Sequence, residues 1–435
     1  MVYCLSLTML IPEEALLHFV WQFRLYNQKD LKTINGEHVT VIDPGQYNQN
    51  AGPDFEFAKL QIGNTLWSGH VEIHVSAKDW YHHKHHLDPK YNSTILHIVW
   101  EYNYDALRLD DTKISTVELK NYINPTMLLK YQDLMNNLYW IPCEQQVKFV
   151  NSLKQNSWLE RMAVERMESK FEYLSQLLEN SKNHWEKVLL VSLGRAFGMK
   201  VNAIAFEHLV QKIEFSLLLK YQTEPLKLEA LLFGTSGLIP APAGDEYTRR
   251  LSDEFAYLQK LHHIDTLSET EWKFHRMRPY NFPTFRIAQL AALYQQEVYW
   301  FEKILKTENL QTIRNTLKAI QVNRYWEEHF RFSTSTSAHT NSLSDTFINH
   351  IIINCLAPVL FAFGKFMDNE HQKSKAIEWL YETQREENNI TRKFETLGLQ
   401  NSSAGTSQGL LHLKKNYCEQ KKCLSCAIGL AVLKS

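Results

Sequence analysis

The sequence lacks a charge excess of either sign. Its 47 Lys and Arg stand against 48 Asp and Glu, for a formal net charge of −1. That balance removes the simplest route to nucleic acid, a basic chain held by phosphate electrostatics, and leaves only a local basic groove. It also lacks a long apolar run, since no window approaches the ~18 uninterrupted apolar residues of a membrane span. The stretch Met1 to Leu10 is apolar but has no basic n-region and runs straight into Pro12-Glu13-Glu14, so it does not read as a signal peptide. The expectation is a cytoplasmic bacterial-type protein with no membrane partner. Cysteine is scarce, six in all, and three of the six fall in the last eighteen residues. A secreted disulfide scaffold spreads its cysteines more evenly, and in a reducing compartment such clustering points to metal.

What is present is ordinary globular material. Hydrophobic residues make up 44% and charged residues 22%, so a largely folded chain is expected. At 435 residues the chain exceeds the roughly 250 to 300 residues at which one core stops growing, and two or three domains follow.

Pro12-Glu13-Glu14 opens an amphipathic run with Leu16, Phe19, Val20 and Phe23 at helical spacing, a helix of about four turns with acids at its positive end. Val39 to Ile42 is a β-branched run stopped by Asp43-Pro44-Gly45, hence a strand and a turn. Phe55 to Ile62 and Leu66 to Val75 are strand-like, joined through Gly63-Asn64-Thr65 as a hairpin. Ala77 to Tyr91 is polar and rich in His, a short helix or an ordered loop. Thr94 to Trp100 is nearly continuous apolar sequence, a strand buried on both faces, and Thr116 to Ile123 adds an edge strand. The reading is an α/β N-terminal domain over residues 1–124, of order α-β-β-β-(α)-β, followed by a mostly α-helical region over 125–435. In that region Trp158 to Leu178, Leu251 to Leu261, Thr284 to Ile304 and Thr312 to Phe330 carry the 3.6 period.

Chemistry concentrates in the first domain. Along Val71-Glu72-Ile73-His74-Val75 the alternation puts Val71, Ile73 and Val75 on one face and His70, Glu72 and His74 on the other, leaving a polar face free. Upstream, Asn50-Ala51-Gly52-Pro53-Asp54-Phe55 places a carboxylate at the mouth of the preceding strand. A three-residue connection at Gly63 to Thr65 brings Asp54 opposite His74 and onto the Glu72 side. A two-residue connection points Asp54 to the wrong face. Two carboxylates on neighbouring strands suit a hard divalent cation, which can acidify an attacking water and shield the charge that builds on a phosphate.

Pro53-Asp54, then Glu72-x-His74 eighteen residues after Asp54, in this element order, resembles the PD-(D/E)xK nuclease superfamily with its restriction-endonuclease-like mixed sheet. The resemblance implies catalytic Asp54, Glu72 and His74, with Asp54 and Glu72 holding Mg2+ or Mn2+. His74 stands where that family has Lys, and an imidazole is not a permanent cation. The chain also resembles a bacterial family of unknown function. That resemblance rests on Gly52-Pro53-Asp54-Phe55, Gly69-His70-Val71-Glu72-Ile73-His74, Asp79-Trp80, Tyr91-Asn92, Ile95-Leu96-His97 and the terminal Cys run, and it supplies no activity.

His82-His83-Lys84-His85-His86, followed by Asp88, suits a transition metal; on a helix His82 would share a face with His85 or His86. In a nuclease, His83 and His86 would instead contact the phosphate backbone, with Asn50 nearby. Such clusters are more often solvated surface. Trp272 to Pro283 interleaves cations with aromatics, and its Arg276 and Arg278 suit phosphate contacts; the plainer reading is a Pro-bounded loop pinned by Trp272 and Phe282. Cys418, Cys423 and Cys426 lie close enough in sequence to grip one metal, with Cys143 as fourth ligand for zinc or an iron-sulfur cluster and His412 as a substitute for zinc. Packing of reduced thiols is the alternative. The functional expectation is a metal-dependent nuclease acting on DNA or RNA. The alternatives are a catalytically inactive nucleic-acid-binding or assembly protein on the same fold, and a His-metal hydrolase of a small molecule.

Overall fold

The computed structural model describes residues 11–435, and the Met1 to Leu10 stretch read above for targeting lies outside the described residues. The chain forms two compact units, Met1–Gln155 with Lys415–Ser435, and Asn156–Lys414. The C-terminal cysteine segment, grouped by sequence with the helical region, therefore belongs to the first unit.

The first unit holds a curled mixed sheet. Its elements run α1 (Glu14–Gln22), β1 (Val39–Asp43), β2 (Gln46–Tyr47), β3 (Phe55–Ile62), β4 (Thr65–Ser76), α2 (Asp79–His82), β5 (Thr94–Glu101), β6 (Ser115–Glu118) and α3 (Pro125–Asn136). The sheet order is β1-β3-β4-β5-β6, with the short β2 paired to β3. β1, β2, β3 and β4 pair antiparallel, while β4-β5 and β5-β6 are parallel. The near-continuous apolar β5 is buried at every position but its last, as a strand covered on both faces should be. α1 is shorter than its sequence period suggests, at nine residues. β6 ends at Glu118, where a 3-10 turn over Leu119–Asn121 begins.

Two local features set the register of β3, β4 and β5. The β3-β4 turn has two residues, since Ile62 faces Thr65, and Gly63 supplies its φ of +55°. Continued regularly, that ladder would put Asp54 opposite Ile73, on the wrong face. A β-bulge intervenes: Ala58 faces Gly69 but Phe55 faces Val71, so two residues of β3 oppose one of β4. Phe57 takes φ +59° there, and its N–H donates to His70 Nδ1 at 3.3 Å. The extra residue re-aims everything before it and brings Asp54 level with Glu72. Gly69 is the second feature. A Cβ there would lie 2.5 Å from both Ser93 O and Ile95 Cγ2, so its absence lets β5 close on β4.

Also in the first unit, α3 packs against the helix Ala427–Lys434, and Lys421 Nζ donates to Asn137 O at 3.3 Å.

The second unit is largely helical. The runs expected at Trp158 to Leu178 and Leu251 to Leu261 lie within helices Ser152–Asn180 and Glu246–His262. Two expectations change. Thr284 to Ile304 is two helices, Pro283–Gln296 and Trp300–Lys306, parted where Glu297 turns extended at φ −154°. Thr312 to Phe330 is helical only over Leu310–Lys318. It continues as a 3-10 turn, Arg324–Glu327, and a strand, His329–Arg331, paired with Thr334–Ser335. There Asn323 caps the turn by accepting from Tyr325 N at 3.1 Å, and Tyr325 stacks on His329 with ring centroids 3.9 Å apart. Among the described residues one helix, Asp345–Phe366, is long and apolar enough by length and composition to cross a membrane, but 83% of its apolar window is buried inside the protein, as in a core helix.

Candidate metal centre

The site gathers on the face of β4 that carries Glu72 and His74, with β5 alongside: Glu72 is paired with His97 across the parallel ladder. This face is not free, as alternation alone suggested. The segment after β4 closes over it, led by Trp80, which is fully buried, donates from Nε1 to Leu107 O at 2.9 Å and packs edge-on against His85 and Tyr91. Glu72 is left 4% exposed and His74 1%.

The His-rich run is not one helix. α2 ends at His82, and Lys84 takes a left-handed φ of +63°. This break turns His83 and His85 toward β4, although residues two apart on a helix would diverge. The result is a cluster in which His74 Nε2 lies 3.1 Å from His83 Nδ1. Glu72 Oε1 lies 3.1 Å from His85 Nε2 and 3.6 Å from His74 Nε2. One nitrogen each from His74, His83 and His85 falls within 4.8 Å of the others, the only such group among the described residues. His82 instead faces solvent and meets Asp79 at 3.1 Å, and His86 packs on Tyr81 with ring centroids 4.8 Å apart.

Asp54 is tied to β4 by two hydrogen bonds. Its backbone N–H donates to Glu72 Oε2 at 3.0 Å, and its Oδ2 accepts from Ile73 N at 2.9 Å. His18 of α1 approaches Asp54 Oδ2 at 3.1 Å, as an ion-pair contact rather than an aligned hydrogen bond. Behind the cluster, His74 Nδ1 meets His97 Nε2 at 2.8 Å.

The electrostatics follow from burial. Burial pushes the Glu72 carboxyl well up, and the Asp54 carboxylate pushes it further. Burial pulls His74 far down, helped by His97, His85 and His83, and pulls His97 down to about 3. His85 is lowered by burial against the pull of Asp54 and Asp88. On His18, burial works downward, but the contact with Asp54 and the charges of Asp54 and Glu14 outweigh it and the net shift is upward. The buried imidazoles are therefore neutral, with lone pairs available.

These residues fit a divalent transition ion. Ligand atoms about 2.0 to 2.2 Å from one ion lie roughly 3 to 3.5 Å from each other; the His74–His83 and Glu72–His85 contacts, both 3.1 Å, fall in that range and Glu72–His74, at 3.6 Å, lies just beyond it. If His74 Nδ1 donates to His97, its Nε2 lone pair points into the cluster, the arrangement of a ligating histidine held by a partner behind it. Mixed imidazole and carboxylate donors suit zinc, manganese or iron better than magnesium.

Of the residues singled out in sequence, Asp54, Glu72, His74 and His83 come together here, with His85 of the same His-rich run. Asn50 is exposed in the loop before Asp54, its N–H donating to Asn48 Oδ1 at 2.8 Å. Arg276 and Arg278 are exposed in the second unit; His412 lies in the same unit but is buried, 3.5 Å from Glu165 Oε2. Cys143, Cys418, Cys423 and Cys426 all belong to the first unit. Burial, with Cys426 and Cys423 nearby, pushes the Cys143 thiol up to about 12, and burial with Cys426 does the same for Cys423. No three of these four sulfurs lie within 4.8 Å of one another. The sequence reading missed His18 and His97 as site residues, and it named His85 only within the His-rich run. His97 carried the one available signal, an imidazole in an otherwise apolar strand, and an orphan buried Nδ1 now marks it.

No curated protein matches the chain, and no solved structure does. A family model described as a protein of unknown function (DUF2851) matches residues 14–389, well over half of the chain, and the protein therefore belongs to the DUF2851 family.

Proposed function

We propose that the first unit is a metal-dependent nuclease that hydrolyses phosphodiester bonds of DNA or RNA, with the ion held by His74, His83, His85 and Glu72 beside Asp54. The observation that carries this reading is the convergence of three imidazole nitrogens and the Glu72 carboxylate next to Asp54. The mixed sheet with Asp54 and Glu72 on adjacent strands supports the restriction-endonuclease-like reading of the fold, by analogy. When bound, the ion would acidify a water and offset charge on the phosphate. The chain's own residues have separate tasks. Glu72 and the three imidazoles bind. Asp54 is fixed by Ile73 N–H and His18 at the edge of the cluster, where it can accept a proton from water. His74 does not replace the family's lysine as a cation, because burial keeps it neutral; it acts as a ligand, and Mn2+ or Zn2+ is favoured over Mg2+.

A second reading keeps the site and changes the substrate. The nitrogen-rich donor set equally suits a His-metal hydrolase of a small ester. The test is cleavage of labelled single- and double-stranded DNA and RNA, and of a small aryl phosphodiester, with Mg2+, Mn2+ or Zn2+. Wild type is run beside Glu72→Ala and His85→Ala. Metal-dependent cleavage of nucleic acid lost in both variants supports the nuclease, and turnover of the small diester alone supports the second reading. A folded, metal-loaded protein that turns over nothing rejects both in favour of a binding or assembly protein.

A further inference from the structure

The second unit contains a cavity of about 750 Å³, within the size range of small-molecule sites. Its walls are the loop carrying Arg278, Tyr280 and Asn281, the helix Pro283–Gln296, and the residues Ser342, Ser344 and Thr346 at the start of the helix Asp345–Phe366. None of these belongs to the metal centre, so the inference does not depend on the reading of the first unit.

Arg286 is the notable group. It is 6% exposed, lines the cavity and has no carboxylate within ion-pair distance among the described residues. Its Nη1 donates to Gln289 Oε1 at 2.7 Å and its Nη2 to Asn281 Oδ1 at 2.9 Å, and its Nε has no acceptor. The guanidinium lies 3.3 Å from the centroid of the Phe347 ring, which holds it in place but does not neutralise it. Burial pulls it down to about 9, which leaves it protonated at neutral pH. A buried cation without an anion is costly, and a ligand that supplies the anion removes that cost.

The remaining charges favour an anion too. Arg278, exposed on the wall, has no ion pair or side-chain hydrogen bond among the described residues. The two lining acids already have partners: Glu387 accepts from Arg385 Nη2, on the same wall, at 3.0 Å, and Glu386 accepts from Gln408. Hydroxyls at the start of a long helix add donors on the positive end of its dipole, where phosphate is favoured. Planar guanidinia and hydroxyl donors around one space match the several acceptor oxygens of a tetrahedral phosphate better than the two of a carboxylate.

We propose that this cavity binds a phosphate group, free or carried on a small molecule, through Arg286 and Arg278. The test is calorimetric titration of the full chain with inorganic phosphate, AMP and adenosine, for wild type, Arg278→Gln and Arg286→Gln, with thermal unfolding of each protein alone. Wild type is expected to bind phosphate or AMP and not adenosine, and a tighter grip on AMP identifies an ester as the ligand. Arg278→Gln, an exposed change, is expected to fold normally and lose at least tenfold in affinity, so the outcome stands even if Arg286→Gln does not fold. No binding of phosphate or AMP by wild type, or equal binding by folded Arg278→Gln, overturns the proposal.

Discussion

His97 offers the sharpest test of the metal centre, because its side chain reaches the donors through its hydrogen bond to His74. Its Nε2 sits 2.8 Å from His74 Nδ1 at a fully buried position on β5. In the ligating tautomer His97 accepts the His74 Nδ1 proton, fixing both the lone pair at Nε2 and the ring plane. Loss of such an outer partner costs about 10- to 100-fold in metal affinity, or about 1.4 to 2.8 kcal/mol at 1.4 kcal/mol per tenfold. His97→Ala also opens a cavity, so its fold must be measured apart from its metal binding. Urea unfolding in chelator reads the first, and competition against a chromophoric chelator with Zn2+ and Mn2+ reads the second. Co2+ absorption adds a signature of the ligand set that packing alone does not move. The expected result is one ion per chain in both proteins, weaker binding in His97→Ala, and partial rescue in His97→Gln, whose amide oxygen can accept the same proton. A folded His97→Ala that binds as tightly as wild type, or a wild type that binds no transition ion, refutes the reasoning.

Three further outcomes follow from packing and burial. Gly69→Ala places a methyl 2.5 Å from Ser93 O and Ile95 Cγ2 and is expected to destabilise the first unit by about 1 to 3 kcal/mol; an unchanged urea midpoint contradicts the tight β4-β5 approach. At the bulge, Phe57 is 65% exposed with φ +59°, so Phe57→Gly is expected to be more stable than Phe57→Val by about 1 to 2 kcal/mol, and the reverse order on denaturation removes the left-handed assignment. Burial raises Glu229 from 4.5 to about 7 against its hydrogen bonds from Tyr247 and Asn323. The folded state therefore keeps a proton that the unfolded chain releases from about pH 4.5 upward, and stability falls from there through about pH 7, by about 3 kcal/mol in all. Glu229→Gln should flatten that window, and a wild-type-to-variant difference that is equal at pH 5 and pH 8 excludes the shift.

What could be read in the sequence divides along a physical line. Alternation and β-branching located β3, β4 and β5 within a residue or so, because those strands are regular and their burial is periodic. The same alternation put Glu72 and His74 on one face. It could not choose the face of Asp54, since that depends on one residue gained or lost between Asp54 and Gly69. The turn has two residues, the length that by regular pairing sends Asp54 away, and only the bulge at Phe57 cancels it. Nothing in a bulky aromatic residue announces a positive φ. The histidines pose the same difficulty: helical spacing groups His82 with His85 or His86, whereas the left-handed Lys84 selects His83 and His85. His18 and His97 come from elements far along the chain, and their part depends on tertiary placement alone. Apart from Glu72 with His74, each pairing of donors in the centre thus rests on a departure from regular geometry or on a long-range contact. Regular elements align donors only along a face, so converging them on one point requires the chain to break its period there.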